Sequence, residues 1–185
     1  MAKSIPFEEV VQKENNTLCQ HKENKFLCCF HGLNYVMEVC IKDSNNLILL
    51  SKRATPSQVK HLTLGDPGGK ETLFASFYDN TVRSFTIEKH SLKELAKITF
   101  SQPEQVLWLR SLSQLIVADW DSSKKAHKLQ NVHESIESRN KFEVNTCVAL
   151  DSDQGVCVRC WDVISENRIF CFNWKKREIL ELKMN

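Results

Sequence analysis

An aromatic residue followed by aspartate recurs along this chain at nearly constant intervals. The pairs are Tyr78-Asp79, Trp120-Asp121 and Trp161-Asp162, so the aspartates stand 42 and 41 residues apart. Each pair closes an apolar or β-branched run ("LFASFYD", "LIVADWD", "VCVRCWD") and precedes a second extended run. Asp in such a place reads as the corner of a tight turn between antiparallel strands. Further strand-like runs lie before each pair ("VKHLTL", "QVLWL", "TCVAL"). Others form outer strands ("NLILLSK", "LKELAKITF", "REILELK"). An earlier stretch, "FLCCF", "HGLN", "YVMEVCI", keeps the strand–turn–strand order with Gly32 in place of the Asp. The period therefore divides the chain into an extension over 1–16 and four units, roughly 17–55, 58–101, 104–141 and 144–184.

A small four-stranded sheet cannot bury either of its faces alone. Stacking such sheets around an axis buries both, and a period of about 40–45 residues is the mark of that arrangement. The expected fold is all-β: a β-propeller or partial propeller of about four four-stranded antiparallel blades.

The segment "DNTVRSFTI" (79–87) makes the resemblance specific. It resembles the Asp-x-x-Val-Arg-x-aromatic segment of WD-repeat propellers. In that family the Asp sits in the turn between second and third strands and accepts hydrogen bonds that hold it. The resemblance assigns Asp79, Asp121 and Asp162 as structural turn residues, with Val82 and Arg83 opening a third strand. The Gly-His pair that opens many family repeats is absent, so the resemblance does not carry over the His–Ser–Trp–Asp chain of a full repeat. The third strand after Asp121, "KKAHKL", is polar. Family propellers usually have about seven blades, which leaves three accounts of four units. They close alone, a second chain supplies the missing blades, or the chain is part of a longer protein.

Composition bounds the function classes. Apolar residues make up 42%, charged residues 26%, and the net charge is +2. That balance argues against a disordered chain or a strongly basic nucleic-acid binder. No run approaches the length of a membrane-spanning helix. The first residues show no apolar secretory core, so the sequon at Asn15 carries little weight and the eight cysteines are expected as reduced thiols. A cytoplasmic or nuclear protein is expected. Cys28, Cys29, Cys40, Cys157 and Cys171 lie in apolar runs and read as small hydrophobic residues.

Few constellations suggest chemistry. Cys157 and Cys160 form a C-x-x-C that, with Cys19 and His21, is a weak alternative zinc site; residues three apart on a strand face opposite ways, which opposes shared ligation. "GDPGGK" (65–70) lacks the spacing of a phosphate loop and reads as a turn. Lys128–Lys141 places apolar residues at 129, 132 and 136, which suits a short helix or a contact loop. No catalytic residue, metal or cofactor is assigned.

The expected function is a non-enzymatic protein–protein interaction scaffold, a WD-repeat-like subunit of a larger complex that acts by rigid display. Its docking turns are roughly 53–58, 79–81, 101–105, 121–125 and 163–167, and its docking residues are Arg83, Trp108, Trp120, Lys124, Lys125 and Trp174. A protein partner is expected, completing the propeller in one account; nucleic acid is the lesser partner and no membrane is involved. The rival readings are a closed antiparallel barrel for a small apolar ligand and a zinc-bearing nucleic-acid adaptor.

Overall fold

The structure is a computed structural model. It describes residues 4–6, 16–30, 32–43, 46–123, 126–134, 142–150, 156–161, 168–173 and 178–183. Among these, every long element is a strand: β1 (Ser4–Pro6), β2 (Asn16–Lys22), β3 (Lys25–Phe30), β4 (Tyr35–Asp43), β5 (Asn46–Ala54), β6 (Val59–Gly65), β7 (Thr72–Phe77), β8 (Thr81–Ile87), β9 (Leu92–Thr99), β10 (Pro103–Leu109), β11 (Gln114–Asp121), β12 (Ala126–Glu134), β13 (Phe142–Leu150), β14 (Val156–Trp161), β15 (Arg168–Asn173) and β16 (Glu178–Lys183). The expected all-β class stands.

The strands form four antiparallel sheets, ordered β1-β5-β4-β3-β2, β6-β7-β8-β9, β10-β11-β12-β13 and β14-β15-β16. None of these closes on itself, so the barrel reading has no counterpart among the described residues. The hairpins turn where the chemistry allows it. Asn24 and Asn80 take positive φ (57° and 62°), a conformation Asn tolerates, and Gly32 takes φ 83° where the first unit lacks its Asp.

Sheets adjacent in sequence pack on one another. β2 and β3 meet β6, β6 and β7 meet β10, and β10 and β12 meet β14. The second sheet is covered on both sides, and its central strand shows it. All six residues of β7 are buried. Leu73, Ala75 and Phe77 join Leu27, Cys29 and Val36 of the first sheet. Phe74, between them in sequence, joins Val106, Trp108, Leu115 and Val117 of the third. A strand buried on both faces needs no polar alternation, which is why "TLFASF" carries no charged residue and buries even Thr72 and Ser76. By contrast the outer strand β9 is mostly exposed and carries Lys93 and Lys97; lysines on an outer strand discourage pairing with other chains. The far face of the first sheet is also buried, around Cys28, Met37, Val39 and Leu47.

Two expectations are corrected. Lys128 to Glu134 belongs to strand β12, not to a helix or loop; residues 135–141 lie outside the described set. Leu129 and Val132 sit three apart because both faces of this sheet are buried, and Val132 joins the cluster shared with the second sheet. Two-sided burial mimicked a helical stripe. Thr146–Leu150, expected to open the fourth unit, instead pairs with β12 as part of β13 and completes the third sheet.

Candidate interaction face

The turn after β7 is built around one carboxylate. Asp79 Oδ1 accepts from the backbone N–H of Thr81 (3.3 Å) and from its hydroxyl (2.5 Å). Asp79 Oδ2 accepts from Arg83 Nη2 at 2.5 Å. Arg83 also donates through Nη1 to Glu94 of β9 (2.8 Å) and through Nε to the Thr81 hydroxyl (3.0 Å). Burial pushes the Asp79 carboxyl up, but the Thr81 and Arg83 hydrogen bonds and the Arg83 charge outweigh it and hold the group below the usual carboxylate range.

The same corner recurs 42 residues on. Asp121 Oδ1 accepts from the Ser123 backbone N–H (3.0 Å) and hydroxyl (2.6 Å), and Lys128 donates to Asp121 Oδ2. Ser123 stands where Thr81 stands, and Lys128 replaces Arg83 from a longer hairpin. The aromatic residue before each Asp has a parallel role through its backbone. Tyr78 N–H donates to Gln58 O (3.0 Å) and Trp120 N–H to Gln102 O (2.9 Å). Each bond ties the loop entering a sheet to that sheet's second strand. The loop leaving a sheet is tied in turn: Thr55 N–H donates to Asn34 O and Phe100 N–H to Asn80 O, both at 2.9 Å. Turns and connecting loops therefore gather at one end of the stack.

Buried polar groups pin the first sheet to the second and the second to the third, and one more holds the loop that enters the third. Arg53 of β5 pairs with Glu38 (2.7 Å) and reaches the second sheet through Glu88 O (3.0 Å). Lys60 of β6, with its side chain 6% exposed, pairs with Glu104 of β10 at 3.1 Å, and its Nζ lies 5.1 Å from the Tyr78 ring centre. Asp119, fully buried, accepts from the backbone N–H of Gln102 (2.7 Å) and Ser101 (3.3 Å) and from Gln130 Nε2 (3.1 Å).

The expected docking residues separate on this geometry. Arg83 is buried and spent on Asp79 and Glu94, so it holds the turn. Trp108 is corrected outright: it is 7% exposed, stacks on Phe74 at 5.3 Å and donates to Asp66 Oδ1 at 2.8 Å. It is a core residue of the seam between second and third sheets. Trp120 is partly buried against the His127 ring, 4.6 Å away. Asp162, Lys124, Lys125 and Trp174 lie outside the described residues. Tyr78, 40% exposed, was missed as a surface aromatic on this face. Asp119 and the Lys60–Glu104 pair were also missed. A signal existed: Ser-Gln at 57–58 and again at 101–102 marks the two entering loops, 44 residues apart.

Of the alternative zinc ligands, Cys19 and His21 lie on β2, and Cys157 and Cys160 on β14. Burial above all, then the neighbouring Cys29 and Cys28 thiols and Glu71, pushes the Cys19 thiol far up, and burial pushes Cys28 up to about 11. Such thiols stay protonated and are poor ligands. His21 Nδ1 lies 3.0 Å from Glu71 Oε2, a contact between first and second sheets. Among the described residues no three candidate ligands gather in a way that would hold a metal. Compared with protein-family models and curated protein sequences, the chain matches none.

Proposed function

We propose that this chain is a non-enzymatic interaction module: four sheets stacked in WD-repeat propeller fashion that present their turns and connecting loops to a protein partner. The observation that carries the reading is the recurrence of one hydrogen-bonded corner at Asp79 and Asp121, with the connecting loops bonded to it. A surface whose backbone is held at several points loses little conformational freedom on binding, which favours docking. Its exposed members include Tyr78, Asn80, Ser101 and Gln102. Tyr is among the residues that carry binding energy in protein interfaces. Reduced thiols at Cys19, Cys28 and Cys40 suit a cytoplasmic or nuclear setting.

The test is capture of a partner from cell extract by wild-type chain and by surface variants, followed by cross-linking. Tyr78→Ala and Ser101→Glu alter the turn face. Lys70→Glu alters the opposite end of the second sheet. The reading expects a partner lost with the first two and kept with the third. A partner held equally by all three variants refutes it.

A further inference from the structure

The turn face carries one pairing of residues twice. In the second sheet the backbone N–H of Tyr78 donates to the Gln58 carbonyl, and in the third the N–H of Trp120 donates to the Gln102 carbonyl. The aromatic residues stand 42 apart in sequence and the glutamines 44. Tyr78, Gln58 and Gln102 are exposed and Trp120 is half-buried. Each glutamine side chain carries two amide N–H donors, of which Gln102 spends one on Glu104 Oε1 at 3.0 Å. The two sheets pack directly, β6 and β7 against β10. Packed sheets lie about 10 Å apart, so equivalent positions recur at about that interval. A ligand that uses both pairings alike must repeat its own contacts at the same interval.

Polypeptide conformations differ in this repeat. A β-strand returns side chains to one face at about 6.6 Å and again at about 13 Å. A polyproline II helix does so every three residues, about 9.3 Å. An α-helix matches after seven residues, about 10.5 Å, but it consumes its own carbonyls and docks through an apolar stripe in a hydrophobic groove. This face instead sets separate aromatic rings among amide side chains. Polyproline II has no internal hydrogen bonds, so its carbonyls stay open to such donors, and it docks on aromatic side chains. Single-stranded nucleic acid also stacks on aromatic rings. Its phosphates are opposed here by the carboxylates of Asp79 and Glu104, 34% and 35% exposed, which flank Tyr78 and Gln102. We infer that the Tyr78 and Trp120 pairings together form a docking site for a proline-rich segment in polyproline II conformation, one turn of the segment to each sheet. This deepens the reading above by naming the partner's chemistry, and it rests on that reading.

The probes are polyproline peptides of three, six and nine residues, titrated into the full chain under reducing conditions. The expected result is saturable one-to-one binding that strengthens at least about tenfold from three residues to nine, since only the longer peptide reaches both sheets. Tyr78→Ala and Gln58→Ala, in proteins whose thermal melts remain cooperative, should each weaken the nine-residue peptide at least about fivefold. Lys70→Glu, at the opposite end of the second sheet, should leave it unchanged. No saturable binding, no dependence on length, equal binding by Tyr78→Ala, or tighter binding of an alanine-rich helical peptide or a uridine decamer overturns the inference. The turn-face variants report separately. If they lose a partner from cell extract that nine prolines neither mimic nor displace, the interaction module stands and the proline site falls.

Discussion

His61 makes the seam between second and third sheets sensitive to mild acid. It lies on β6, its Nδ1 is sealed from solvent without a hydrogen-bond partner, and it bonds the backbone of Val106 on β10. Burial, partly offset by that backbone bond, pushes its pKa from 6.5 down to about 4. The folded protein therefore keeps His61 neutral at a pH where the unfolded chain has already bound the proton. Stability from this group is complete above pH 6.5 and is lost as pH falls towards 4. Each pH unit between the two values is worth about 1.4 kcal/mol, so the loss is about 3.5 kcal/mol at most. Urea unfolding at pH 7, 6, 5 and 4.5 measures it, with His61→Gln as the reference. The wild type should lose most of this amount, and the variant should show a much flatter profile. Burial also lowers His127, against the opposing charges of Glu104 and Asp119, so a shallow slope of the same sign remains in the variant. A wild-type stability flat from pH 7 to 4.5, or an equal slope in both proteins, refutes the argument.

The remaining predictions follow the same logic. Asp79→Ala removes two turn bonds and one partner of Arg83, at a cost of about 2–3 kcal/mol. Asp121→Ala should cost a similar amount in the same urea assay if the two corners are equivalent, and a difference above about 2 kcal/mol speaks against that. At Gly65 an added Cβ would lie 2.5 Å from Trp108 Cδ2 and 2.9 Å from Phe74 Cε2. Gly65→Ala should therefore destabilise by about 2–4 kcal/mol and shift the tryptophan emission; unchanged emission and stability would show that the seam yields. Glu104→Ala leaves the Lys60 ammonium buried without its carboxylate, whereas Lys60→Met replaces the charge with a chain of similar length. The first should cost about 1–3 kcal/mol and the second less, by thermal melts; the reverse order contradicts the pairing. Below pH 4 the protein should lose further stability as Asp79 and Glu38 protonate. Hydrogen bonds and charge from Arg83 and Arg53 hold both carboxyls below their ordinary values against burial, so their contribution is present above that range and is lost through it. A plateau in stability between pH 4 and 2.5 would contradict this.

What the sequence made legible was local. Turn chemistry and runs of β-formers located β3, β4 and the β7–β8 hairpin, because alternation, Asn and Asp act within a few residues. Asp79 and Asp121 could be read as corners for the same reason, since their partners Thr81 and Ser123 are two residues away. Illegible features depend on a neighbouring sheet. Trp108 looks like a docking residue in one dimension, but its indole N–H pairs with Asp66, 42 residues earlier, and its ring needs the space that Gly65 leaves. Asp119 and Asp121 stand two apart in "ADWD" with nothing local to tell a loop anchor from a turn corner. The assignment of β13 failed on strand count: spacing fits it to one sheet, and pairing places it in another.

The division of labour within the seams bears on how such a module could recognise anything. Apolar packing of Leu73, Phe77 and Leu27 on one side, and of Phe74, Val106 and Val117 on the other, supplies adhesion but little register, because aliphatic surfaces tolerate sliding and repacking. The polar ties do not. Moving the third sheet on the second by one residue would strand Lys60 away from Glu104 and part the Ser76 hydroxyl from the Glu104 carbonyl, each a buried group left unpaired. The penalty falls on misaligned stacks, whatever the net worth of each pair in the aligned one. Those ties lie beside the entering loops that hold Gln58 and Gln102, so the groups that fix one sheet against the next also fix the spacing of the turns. A partner that reads Tyr78 on one sheet and the Asp121 corner on the next reads a distance set by buried charge and hydrogen bonds.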